Sequence, residues 1–187
     1  MPNWCNNTLT LTHDDPAMID RAVKAFEEGK LLQEFIPCPE PLKQTIAGFM
    51  PEGYERELHE FTQQLNVKYF KYSNWYDFNN AEWGTKWDVG NADSYVNRSS
   101  PTSAEFGFES AWSPPTAAYE KLQEMGFGVQ AYYWEPGMSF CGRHDENGDE
   151  YYEVRNLDDA KQLPGDIESN FNIIEEMELA ADWDSEE

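Results

Sequence analysis

Sixteen Asp and Glu stand in the last 43 residues, Asp145 to Glu187, against two bases, Arg155 and Lys161, so this segment alone supplies −14 of the chain's net −23. Carboxylates in such number can share a proton as a general acid–base pair, ligate a hard cation, or present fixed negative charge to a cationic partner. The first use needs an apolar pocket that lifts one pKa above the other, and no such signature surrounds these pairs. For the second, Asp145-Glu146-Asn147-Gly148-Asp149-Glu150 puts Gly fourth and Asn156 twelfth. An EF-hand loop wants Gly sixth and Glu twelfth. A hairpin turn with charged shoulders accounts for that run better, which leaves the third use.

Other candidate chemistry is sparse. Cys141-Gly142-Arg143-His144 is half of a zinc pattern, but Cys5 and Cys38 are distant, and His13 and His59 lie at no ligand spacing. No metal or other cofactor is expected. Without a nucleophile elbow, a phosphate-cradling glycine loop or a HisGluxxHis helix, no catalytic residue is assigned and no enzyme is expected. A second candidate surface is the run Trp83-Gly84-Thr85-Lys86-Trp87-Asp88 together with Trp112. Indoles flanking a lysine offer stacking and cation–π contacts. The competing account is a structural turn, in which Gly84 bends the chain, Trp83 and Trp87 pack under a sheet, and Lys86 pairs with Asp88.

Composition narrows the partners. A pI near 4.2 opposes direct binding to a phosphate backbone or an anionic membrane. Aromatics at 15% mark a folding chain, since acidic disordered segments are poor in them. Three widely spaced cysteines do not make a disulfide framework. Neither a transmembrane-length apolar run nor the layout of a signal peptide is visible, so a cytoplasmic protein is expected.

These groups need elements to hold them. Alternation over Asn3 to Thr12 predicts a strand, and Asp15-Pro16 opens a helix with Ile19, Ala22, Val23 and Phe26 on one stripe. Leu31 to Ile36 reads as a short strand. Gly53 to Val67 is amphipathic, with Tyr54, Leu58, Phe61 and Leu65 at helical spacing, and Asn74 to Trp83 reads as a short helix. Strands follow over Asp93 to Arg98 and Ser103 to Trp112, the latter with Phe106, Phe108 and Trp112 on one face. A helix capped by Ser113 buries Ala118, Leu122 and Met125. Strands over Phe127 to Trp134, Met138 to Arg143 and Glu150 to Arg155 complete the body, with Asn147-Gly148 as a type I′ turn. The order predicts an α+β fold of the ferredoxin-like (split βαβ) kind, an antiparallel sheet with a helical insertion at about 47–89 and an added hairpin. Residues 1–155 form that domain; 156–187 form an acidic helical extension.

Three motifs carry a resemblance: Met1-Pro2-Asn3-Trp4-Cys5-x-Asn7, Trp83-Gly84-Thr85-Lys86-Trp87-Asp88 and Ala111-Trp112-Ser113-Pro114-Pro115. In this order they resemble the YubB-like family of phage and plasmid proteins with a ferredoxin-like domain. The resemblance spans most of Met1 to Arg155 and implies the fold and a mobile-element origin, with no mechanism. Many small phage and plasmid proteins inhibit host defence or host nucleic-acid enzymes, an association that bears on the choice of partner.

Within the extension, Ile167, Phe171, Ile174 and Met177 recur at helical intervals from Asp166 to Trp183. A helix docked by that stripe shows Glu168, Glu175, Glu176, Glu178, Asp182 and Asp184 on its other faces. The hairpin adds Asp145, Glu146, Asp149, Glu150 and Glu153, with Asp158 and Asp159 between. Fourteen charges equal those on about 24 Å of DNA duplex, a length that fits across one face of such a domain. The expected function is therefore non-enzymatic: an acidic, nucleic-acid-mimicking surface that occupies and inhibits a basic host nucleic-acid-binding or defence protein. The alternatives are a metal-dependent enzyme acting on nucleotides, or a structural module whose acidic tail gives only solubility.

Overall fold

Alternation in the first strand decides which side of the sheet becomes the core. In β1 (Trp4–Thr12), Cys5, Asn7, Leu9 and Leu11 are buried, while Asn6, Thr8 and Thr10 point the other way and stay half-exposed. The computed structural model describes residues 2–50, 52–90 and 94–184, with side chains through Ala180. Among these, β1 is followed by α1 (Pro16–Glu27), α2 (Leu31–Phe35), α3 (Glu40–Lys43), α4 (Tyr54–Phe70) and α5 (Trp75–Glu82). Then come β2 (Tyr95–Ser100), β3 (Ser103–Ala111), α6 (Thr116–Glu124), β4 (Gly128–Glu135), β5 (Phe140–Asp145) and β6 (Gly148–Glu153). Three helices close the chain: α7 (Leu157–Ala160), α8 (Gly165–Phe171) and α9 (Ile173–Asp184).

The strands form one antiparallel sheet in the order β2-β3-β1-β4-β5-β6. This is the α+β class expected, with helices between β1 and β2, a hairpin added after β4, and acidic helices at the end. Register places Leu9 between Phe106 and Ala131, and Leu11 between Ala104 and Val129. Side chains of directly paired residues share a face, so these make one apolar layer. Ile19, Ala22 and Phe26 of α1 and Ala118, Tyr119 and Leu122 of α6 pack on it. Each large aliphatic or aromatic side chain sealed there contributes about 1.5–3 kcal/mol. Helix α1 begins as its sequence requires: the Asp15 carboxylate accepts the Ala17 N–H at 3.0 Å, and Pro16 fills the first turn.

Four expectations are corrected. Leu31 to Phe35 is a helix, because both oxygens of Asp88 accept its opening amides, Leu32 N at 2.7 Å and Gln33 N at 2.8 Å. A five-residue apolar run does not distinguish strand from helix until such a cap is in place. The β5–β6 hairpin is present, but Asn147 does not have the positive φ a type I′ turn needs. Asp145 instead accepts the Asn147 N–H at 2.7 Å, and Gly148 takes the positive φ of 108°. Trp112 does not share the face of Phe106 and Phe108: it leaves the strand with φ 73° and is about half exposed. Met125 likewise lies at the exposed end of α6, past its buried stripe. Asp93, expected to open β2, lies outside the described residues.

Gly90 fixes how closely the segment before β2 passes α1. Its φ is +96°, and a Cβ there would stand 2.1 Å from the Phe26 carbonyl oxygen. Both the conformation and the contact exclude any side chain. Gly90→Ala is expected to cost about 2–4 kcal/mol and lower the melting temperature by about 10 °C. The control Gly165→Ala, where a methyl meets nothing within 4 Å, is expected to stay within about 0.5 kcal/mol of the parent. Equal melting temperatures for the two variants would contradict the close approach.

Candidate functional site

The second face of the sheet is polar at one end and apolar at the other. Asn6, Thr8 and Thr10 of β1 lie beside Glu109, Gly107 and Glu105 of β3. Trp134 of β4, Cys141 of β5 and Tyr152 of β6 are paired across the other half. On that half the acidic segment docks. Ile167 and Ile173 are fully buried against Trp134, Cys141 and Val154, with Phe171, Ile174 and Met177 packed around them. The stripe read from the sequence is real, but it spans two helices. Asn172 breaks them in the left-handed region at φ 51°, a conformation Asn tolerates better than most residues. The break lets both Ile167 and Ile173 reach the sheet.

Polar contacts lock the same helices. Arg143 is a fork: Nε and Nη2 donate to Glu150 at 3.1 and 3.0 Å, and Nη1 donates to Asp166 at 2.7 Å. Tyr132 and Tyr152 donate their hydroxyls to Asp166 and Glu150. Trp134 Nε1 donates to Glu176 at 2.9 Å, and Glu168 accepts the Ile174 N–H at the start of α9. Of these donors, Arg143 favours the charged form of the two carboxylates it binds. The Glu150 carboxyl is pulled below its ordinary value by Arg143 and then by the Tyr152 hydroxyl. For Asp166 desolvation is the largest effect and pushes upward, but the hydrogen bond and charge of Arg143 outweigh it and leave the group lowered.

The structure therefore divides the expected acidic array. Asp149 accepts from Tyr133 at 2.9 Å, and Asp159 takes the Arg155 N–H and Asn156 Nδ2, each at 3.0 Å. Glu153 pairs with Arg155, and Asp145 holds the hairpin turn. With Glu150, Asp166, Glu168 and Glu176, these acids are tied into the fold. Glu146, Asp158, Glu175 and Glu178 are exposed, and among the described residues no hydrogen bond or ion pair engages their carboxylates. The side chains of Asp182 and Asp184 lie outside the described residues.

Beside the docked helices, an open cleft of about 630 Å³ remains on the polar half of the face. Asn6, Thr8 and Glu109 form its floor with Trp134, and Tyr95 lies across Gly107 at one side. Asn170, Phe171 and Glu176 wall the other side. Carboxylates and amide and hydroxyl acceptors suit a guanidinium or ammonium side chain. Sequence reasoning missed Glu109, Tyr95 and this cleft. Alternation already placed Glu105 and Glu109 opposite the core side of β3; what sequence could not give was which part of the face the helices leave open.

The tryptophan run is mostly internal support. Trp83 is buried and donates Nε1 to the Ile36 carbonyl at 2.9 Å, and Asn79 Nδ2 holds the Lys86 carbonyl at 2.8 Å. Lys86 does not pair with Asp88, whose oxygens cap α2 and bind the Val89 N–H. Burial is the main effect on the Asp88 carboxyl and raises it. Lys86 Nζ instead sits 4.5 Å from the Trp87 ring centre, and Trp4 meets Trp87 at 6.0 Å. Trp87, Trp4 and Trp112 keep exposed edges.

Cys141 and His144 cannot share a ligand. Cys141 faces the acidic helices beside Trp134, while His144 pairs across Ala131 and so faces the core. Burial pushes the Cys141 thiol up to about 12 and the Cys38 thiol up to about 11, which leaves both protonated and poor ligands near neutral pH. Among the described residues no group of three His, Cys, Asp or Glu converges as a metal site, and no helix is long and apolar enough to cross a membrane.

No protein-family profile and no curated sequence matches the chain. A crystal structure of the protein api92 from Yersinia pseudotuberculosis, assigned to the family DUF1281, is similar to it at 12% identity and a TM-score of 0.45. That match covers 83% of this chain and 99% of the other.

Glu150 and Asp166 are both depressed in the fold. The stability they add is complete above their unfolded values, near pH 4, and is lost as pH falls through the lower folded ones. Arg143→Gln is expected to melt below the parent at pH 7, with the gap closing as pH drops from about 5 toward 3. A gap that stays constant across the titration would show that Arg143 acts through packing alone.

Proposed function

We propose that this protein is a non-catalytic binding protein that seizes a cationic partner on the acidic second face of its sheet. The reading rests on one observation: the acidic segment is folded into helices pinned beside an open cleft that Glu109 and Glu176 line. Helices already pinned to the sheet need no backbone ordering when a partner arrives, so less of the binding energy goes into fixing the carboxylates they carry. An arginine or lysine of the partner enters the cleft, and Glu146, Asp158, Glu175 and Glu178 set the surrounding potential. The action is steric and electrostatic occupation, with no covalent step. The motif resemblance directs the choice of partner to basic nucleic-acid-processing and defence proteins of a host cell, which such a surface would hold in place of nucleic acid. The β2-β3-β1-β4 order, with α1 and α6 on one face, supports reading the body as a ferredoxin-like core that carries this cap.

Association with a cationic partner should be fast and weaken steeply with salt. Low-salt capture from a host lysate tests this, comparing the parent with a variant that carries Glu109→Gln, Glu146→Gln, Asp158→Asn, Glu175→Gln and Glu178→Gln. Of these five, only Glu109 borders the cleft, and none makes a contact that the fold needs, so circular dichroism is expected to be unchanged. Basic nucleic-acid-binding proteins held by the parent are expected to be lost from the variant, and from the parent above about 0.5 M salt. Capture that the variant retains in full, or that salt does not weaken, would defeat the proposal.

A further inference from the structure

Helix α4 is built inside out. Tyr54, Leu58, Phe61, Leu65 and Tyr69 fall on one stripe, spaced by four, three, four and four residues. A stripe of this kind normally turns to the core. Here it faces solvent: the five side chains are 78, 52, 58, 38 and 68% exposed. The other side, polar except for Phe70 at its end, which packs against the core, holds the helix to the body. Asn66 is buried and donates to Thr45 Oγ1 and to the Ser73 carbonyl, both at 3.0 Å. His59, Thr62 and Gln63 share that side and are half-buried. A contiguous exposed apolar stripe marks an interaction surface.

We propose that α4 pairs antiparallel with the α4 of a second copy of this chain, making a two-fold dimer. Charge selects that occupant. The chain carries −23, yet Tyr54 to Lys71 is neutral, with Glu55, Glu57 and Glu60 against Arg56, Lys68 and Lys71. Two such molecules repel over most of their surfaces and can approach with least cost here. Polarity selects the direction. The carboxylates occupy the first two turns and the free bases the last, since Arg56 is paired with Glu60. Parallel pairing would set like against like, and antiparallel pairing sets opposite charges together and opposes the helix dipoles. Knobs-into-holes packing then puts Phe61 against Leu65 of the second copy, and Glu57 alongside Lys68 of the second copy. An anionic membrane is a poor occupant, because Glu55 and Glu57 flank the stripe.

The helix is 17 residues long, about 25 Å of contact line. That is a small interface, so a reversible dimer with a dissociation constant of about 1–100 µM is expected. Sedimentation equilibrium of the full chain over that range tests it. Phe61→Ser is expected to weaken association at least tenfold while leaving the melting temperature of the dilute monomer within about 2 °C of the parent, since the ring is more than half exposed. Glu57→Lys and Lys68→Glu are each expected to weaken it several-fold, and the double variant to recover the parent's affinity. A parent that sediments as a monomer at about 100 µM would overturn the proposal, as it would if a foreign protein were the true occupant. Association unaffected by Phe61→Ser, or a charge-swapped double variant no better than the singles, would overturn it equally. The cationic-partner reading is untouched by either result, because the charge-neutralised variant keeps α4 intact.

Discussion

Burial of Ile167 and Ile173 against Trp134 is the contact on which the rest of the molecule's chemistry depends. Without it, the acidic segment would be driven outward by its own charge. Two carboxylates about 10 Å apart in water repel by only about 0.4 kcal/mol, and salt reduces this further. Sealing one isoleucine contributes about 1.5–3 kcal/mol. A few apolar anchors therefore outweigh many weak repulsions, provided each is fully enclosed. The Arg143 fork then offsets part of the charge of Glu150 and Asp166, and the Trp134 indole N–H replaces a water on Glu176. Charge density stays high only on the outer faces, where water screens it.

That arrangement gives the sheet two unlike sides. The first is an apolar layer under α1, α2 and α6 that positions everything else. The second is half covered, and its open half is a polar cleft bordered by carboxylates. Helix α4 meets the first only through Phe70 at its end, is fastened by Asn66 and offers its apolar stripe to solvent. The molecule thus carries two separate exposed surfaces with different physics, one polar and bordered by carboxylates, the other apolar.

The body was legible in the sequence wherever a period and a terminator agreed. Leu9 and Leu11 alternate with threonines, and Asp15-Pro16 opens α1 as its residue types require. Legibility failed where a distant group decides. Nothing near Leu32 announces that Asp88, 56 residues away, will cap this run into a helix. The same holds for the site. The apolar stripe of the extension was readable, but the bend at Asn172 was not, because it exists to bring Ile167 and Ile173 to one sheet. Spacing marked α4 as amphipathic without saying which side it would bury. Counting acids gave the size of the charge and could not show that more than half of those named are occupied by internal donors.

The acidic segment is folded as a fixed cap on the sheet. Amide hydrogen exchange of the intact protein at neutral pH measures this directly. Slow exchange is expected through α8 and the first two turns of α9, comparable to β4 and β5 beneath them, with Asn172 and Ile173 marking the bend. Exchange at the rate of an unstructured peptide from Gly165 to Ala180, while the sheet stays protected, would contradict the account.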